Sequence, residues 1–162
     1  MIIRSNFTGL VGERQSMLTL EKSKLFINST YVSENIAYGS DSTTLRVGEQ
    51  SDLQIYGSVF KNNRASVGGA IFASDHSMVN ITGVIFENLE STIRAGALFA
   101  ENECTILVKY CRFYKNRSRD KAAIIMTENV YSIPMEIRNS VFEENEAAEN
   151  IIELVYSQAF FD

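Results

Sequence analysis

Apolar and polar residues alternate through Leu53-Gln54-Ile55-Tyr56, a polar turn follows Phe60, and a second apolar run opens at Gly68-Gly69-Ala70-Ile71. Alternation with a period of two is the mark of a half-buried strand. The unit recurs. One apolar position returns as Phe7, Val32, Phe60, Phe86, Phe113 and Phe142, at gaps of 25, 28, 26, 27 and 29 residues. A second keeps step as Leu18, Leu45, Ile71, Leu98, Ile124 and Ile152. Such self-similarity signals a stacked repeat. Each copy reads as a strand, a polar turn, a second strand and another turn; helical spacing fits none of them.

Because the same residue types return at the same place in every copy, equivalent strands are expected to lie in register above one another, which is a parallel arrangement. Each coil then climbs by the strand spacing of about 4.8 Å, and crossovers between parallel strands are almost always right-handed. The expected fold is all-β, a right-handed parallel β-helix of about six coils. Leucine-rich repeats share the period, but their L-x-x-L-x-L pattern is missing. Three residues beyond the first column stand Asn35, Asn63, Asn116 and Asn145, placed to bond the coils above and below, with Leu10 and Leu89 interrupting the row. Cys104 and Cys111 fall in columns of small residues and read as interior fillers. Seven residues of strand would hold them about 20 Å apart, too far for a disulfide. In this register Met1 falls inside a strand and Asp162 cuts a new coil short, so residues 1–162 are expected to be one β-helix segment of a longer solenoid, both ends cut within a coil.

Composition narrows the function classes. The chain has 162 residues, 45% of them hydrophobic, with a mean hydropathy of -0.06, as in a soluble folded domain. A formal charge of -5 argues against general binding of nucleic-acid phosphates, and no apolar run has the length of a transmembrane segment.

The pairing of Phe60-Lys61-Asn62-Asn63 with Gly68-Gly69-Ala70-Ile71, and the further F-x-x-N copies Phe113–Asn116 and Phe142–Asn145, resemble the repeats of the chlamydial polymorphic outer-membrane proteins and, more widely, the pectin-lyase-like right-handed β-helix class. Only one coil has both motifs intact; elsewhere the second becomes Ala95-Gly96-Ala97-Leu98 or Ala122-Ala123-Ile124-Ile125. The resemblance implies an extracellular or cell-surface protein with an adhesive or scaffolding role.

Alternation about Ile71, Leu98 and Ile124 turns Phe72, Phe99 and Ile125 outward on three consecutive coils, with Ala70, Ala97 and Ala123 beside them. The expectation is a continuous apolar patch with polar borders, the usual form of an interaction site, covered by another protein chain or by the remainder of its own longer chain. Beyond it runs a row of acids, Glu21, Glu49, Asp75, Glu101 and Glu128. Stacked carboxylates suit Ca²⁺ or acid/base work on a sugar, yet a solvated turn gives the same pattern, so Glu49, Asp75, Glu101 and Glu128 are weak metal candidates and no cofactor is expected. A basic stretch from Lys109 to Lys121 would attract anions or complement the acids Glu143, Glu144, Glu146 and Glu149. His76, the single histidine, reads as a turn residue, and sequons stand at Asn6, Asn28, Asn80 and Asn116. The leading expectation is therefore a non-catalytic structural or interaction protein docking through the patch. The alternative is a carbohydrate-active enzyme or calcium-dependent glycan binder using the acidic row.

Overall fold

The third coil shows how the repeat closes on itself. Its alternating segments are four short strands, Asp52–Tyr56, Val59–Lys61, Arg64–Val67 and Ile71–Ala73. Each pairs in parallel with its equivalents in the coils before and after. The result is a parallel β-solenoid of about five turns with four parallel sheets, here numbered I to IV in that order, and no helix among the described residues. The computed structural model describes residues 1–12, 16–120 and 124–161. Sheets I and IV fuse where the long strand Ile125–Arg138 pairs first with Leu98–Glu101 and then with Thr105–Lys109.

Four strands per coil replace the two expected from sequence, because the backbone turns sharply inside what reads as one alternating run. The corner between sheets I and II carries Ser29, Gly57, Gly83, Tyr110 and Asn139 with positive φ, and that between II and III carries Glu34, Asn62, Asn88, Lys115 and Glu144. Left-handed backbone at a single residue redirects the chain while leaving the flanking strands in register. For residues other than glycine it is costly and is met mostly at Asn or Asp. Its return in successive coils shows that stacking fixes the corner shape, with residue preference secondary.

The interior is a set of ladders. Val32, Phe60, Phe86, Phe113 and Phe142 occupy one register column. Ring centroids lie 5.5 Å apart for Phe60–Phe86, 4.8 Å for Phe86–Phe113 and 4.7 Å for Phe113–Phe142, with the last pair within 3° of parallel. These separations are those of favourable aromatic pairs. The opposite column is Leu18, Leu45, Ile71, Leu98, Ile125 and Ile152. Its fifth member is Ile125, where sequence spacing gave Ile124. Both are apolar, so pattern alone does not choose; the Ile124 carbonyl accepts the Ala97 and Leu98 amides, which puts Ile124 level with Ala97.

The asparagines complete the ladder at the II/III corner. Asn116 Nδ2 donates to the Phe86 carbonyl at 3.0 Å and to Asn145 Oδ1 at 3.1 Å, while its Oδ1 accepts the Leu89 amide at 3.0 Å. Asn35 Nδ2 donates to Asn63 Oδ1, Asn63 Nδ2 to the Val32 carbonyl and Asn145 Nδ2 to the Phe113 carbonyl. Serines act in the same way elsewhere: Ser58 Oγ accepts the Thr30 amide and Ser140 Oγ the Cys111 amide. Backbone groups left open at corners are thus satisfied from the next coil. Both cysteines are free and buried, and burial pushes the Cys104 thiol up to about 12 and the Cys111 thiol to about 11.

Candidate functional site

The outer face of sheet IV is where the repeat departs most from uniformity. Its central column reads Thr19, Arg46, Phe72, Phe99, Met126 and Glu153. Phe72 and Phe99 do project away from the main core, but they are not exposed: they are only 4% and 1% accessible. With Val67, Ala95 and Met126 they form a second, smaller apolar cluster. The expected open patch is therefore covered by this chain's own residues. Val67 and Ala95, at the III/IV corner, pack against the rings. The Arg46 guanidinium lies 4.9 Å from the centre of Phe72, that of Arg94 4.9 Å from the centre of Phe99, and the two rings sit 5.2 Å apart. Such stacking shelters aromatic faces from water while the charges stay hydrated.

Three further residues of the expected patch are placed differently. Ala70 and Ala97 are fully buried in the main core, because they sit in the bend before the strand, where alternation does not hold. Ile125 is the interior residue of its column, and Met126 takes the outward position. Ala123 lies outside the described residues. The bend also explains the paired glycines. Gly68 has φ +59, and a Cβ there would stand 2.3 Å from the Ile71 carbonyl oxygen; one on Gly69 would stand 2.2 Å from that of Gly96 in the next coil.

The acidic row divides into two columns. Glu101 and Glu128 are direct partners on adjacent coils. Glu49 and Asp75 belong to the neighbouring column, where Asn102 follows them, Lys22 Nζ lies 3.0 Å from Glu49, and Asn102 Nδ2 reaches Asp75. Arg94 Nη1 stands 3.1 Å from Glu128 and 4.0 Å from Glu101. Burial pushes the Glu101 carboxyl up from the ordinary glutamate range, Arg94 opposes that shift, and Glu128 adds to it. Among the described residues no three His, Cys, Asp or Glu side chains gather closely enough to hold a metal ion. His76 sits exposed in a left-handed turn.

Lateral charges join one coil to the next. The basic stretch after Lys109 meets the acid-rich segment in Arg112–Glu143 at 2.7 Å, Lys115–Glu144 at 3.4 Å and Arg117–Glu146 at 3.5 Å. Arg64 and Arg119 both pair with Glu90, and Lys61 with Glu87. Sequence reasoning did not single out Arg46 and Arg94, the two cations that cover the rings. Arg46 was legible as the cation preceding two phenylalanines in one column; Arg94 was not, because it ends a strand of sheet III. Around the stacked pairs lies a cleft of about 390 Å³, lined also by Ser40, Asp41, Ile93 and Glu101. No protein-family model, curated protein or solved structure matches this chain.

Proposed function

We propose that this chain is a non-catalytic structural and interaction element, a β-helix segment of a larger surface or scaffold protein that meets partner chains along the outer face of sheet IV. The supporting observation is how its polar groups are used. Asparagine amides, serine hydroxyls and most lateral ion pairs bridge neighbouring coils, which is what a stiff rod requires. The F-x-x-N and G-G-A-I resemblance to polymorphic outer-membrane-protein-type repeats of the pectin-lyase-like class supports the same reading and, with it, a cell-surface location. Docking is assigned to the rim of the cleft rather than to Phe72 and Phe99, which are already covered. A photo-cross-linking residue in place of Ile93, which is 37% exposed and lines the cleft from sheet III, is expected to give protein adducts in the native cell, whereas the same probe at Tyr110, 64% exposed elsewhere, gives none. Equal labelling from both positions overturns the assignment.

One observation favours a second reading. Glu101 and Glu128 stand side by side, share Arg94, and burial raises the Glu101 carboxyl, an arrangement compatible with acid/base work on a glycan or with calcium-dependent glycan binding. Polysaccharide turnover or calcium-dependent glycan binding that disappears in Glu101→Gln/Glu128→Gln would put this reading first.

A further inference from the structure

The two arginines over the phenylalanine pair differ in one respect. A guanidinium lying on a ring uses its face, so its N–H donors point sideways and still need acceptors. Arg94 has one: the Glu128 carboxylate, 3.1 Å from Nη1. Arg46 makes no ion pair or hydrogen bond with any described residue; it lies on the Phe72 ring and meets Glu101 only through a longer-range attraction across the cleft. Most other described cations meet an acid one coil away, but the residue that follows Arg46 in its column is Phe72. Arg46 lines the cleft of about 390 Å³, a volume suited to a side chain or a small ligand.

We propose that Arg46 binds a carboxylate supplied from outside the chain, and that the occupant is an acidic side chain of a partner peptide with an apolar residue beside it. The carboxylate follows from the planar fork, which matches it in two-point geometry, and from Arg94–Glu128, where this protein fills the same kind of stacked guanidinium with a carboxylate of its own. The apolar neighbour follows from Ile93 and Val67 in the cleft lining. Asp41 and Glu101 line it too, so one negative charge is accommodated at Arg46 while a second would face repulsion. That disfavours a polyuronate or a phosphate. The inference rests on the interaction reading above and names the chemistry of the partner.

The test is a resonance titration of the isotope-labelled chain with a blocked leucyl-glutamate dipeptide, its leucyl-glutamine counterpart and trigalacturonate. The glutamate dipeptide is expected to shift the Arg46 Nε–H and Ile93 methyl signals saturably and to bind at least about tenfold more tightly than the glutamine form, the usual value of a hydrogen bond to a charged group. Arg46→Gln is expected to abolish the response with the rest of the spectrum unchanged, and Arg46→Lys to weaken it. Equal binding of the glutamine form, binding that survives Arg46→Gln, tighter binding of trigalacturonate, or no shift with any probe would each overturn the proposal. Cross-linking at Ile93 reports on the partner surface independently of Arg46, so adducts there without a carboxylate response would leave the scaffold reading standing and remove this one.

Discussion

Phe113→Ala tests whether the phenylalanine column carries the stability of the solenoid. The Phe113 ring is fully buried and stacked on both sides, 4.8 Å from Phe86 and 4.7 Å from Phe142. Truncating a buried phenylalanine costs about 3–5 kcal/mol, and the spread depends on how far the surroundings collapse into the gap. Here collapse is resisted: both neighbouring rings hang from strands whose spacing is set by backbone pairing with Arg112–Tyr114. Two stacked contacts, each worth about 0.5–1.5 kcal/mol beyond area burial, are lost together. The expected cost is therefore at the upper end, about 4–5 kcal/mol. Phe142, partly exposed and described with a single ring neighbour, should cost about half as much. The measurement is urea unfolding followed by far-ultraviolet circular dichroism and by tyrosine fluorescence. Both probes are needed because a stacked array with a weakened middle loses cooperativity and unfolds in parts. A loss under about 1 kcal/mol at Phe113, or equal losses at the two positions, would refute the column as the source of stability.

Asn116→Ala leaves the buried Phe86 carbonyl and Leu89 amide without their shared side-chain partner, while Asn145 Oδ1 keeps the backbone amide of residue 116, and at about 1–3 kcal/mol for each buried group stranded the same unfolding assay should show a loss of about 2 kcal/mol or more. The Glu101 carboxyl is raised in the folded protein, so ionising it disfavours folding: its contribution is best below the ordinary glutamate range and is lost as pH rises through the raised value. Glu101→Gln should accordingly have a higher Tm than the parent at neutral pH, with the difference vanishing in acid; an unchanged Tm at neutral pH would contradict the assignment. Cys104 and Cys111, buried and held at about 12 and about 11, should react with a thiol reagent only at the rate of unfolding. Glu90→Lys puts a cation between Arg64 and Arg117 in one column and should cost about 1 kcal/mol at low salt and less at high salt.

The core was legible because a parallel stack imposes one demand in every coil. Phe60, Phe86 and Phe113 must fill the same space, so the sequence repeats itself there, and the asparagines repeat because each has the same carbonyl and amide to satisfy. The sheet IV surface was legible only in part. Phe72 and Phe99 do turn away from the main core, as alternation requires, but alternation says nothing of what another segment lays over them. That cover comes from Val67, Ala95, Arg46 and Arg94, which share no single column: Arg46, Val67 and Arg94 lie on three different strands and Ala95 in the bend after the last. The Ala70 and Ala97 assignments failed for a local reason: a period of two holds only within a strand, and these residues precede one.

The surface obeys the opposite rule from the core. Identical residues in register about 4.8 Å apart set like charges against each other, so copying a charged position carries a cost that copying a phenylalanine does not; Glu101 beside Glu128 bears it with Arg94 close to both. The sheet III column resolves this by alternating sign: Arg64, Glu90, Arg117, and then Glu146 through an isolated bridge. Lys61 and Glu87 do the same on sheet II. Along these columns, then, sameness marks the interior and alternation of charge marks the exterior, and both serve cohesion between coils. A position following neither rule is free for another duty. Arg46, a cation followed by an aromatic ring, is such a position, and its departure from the pattern is the reason to look for its partner outside the chain.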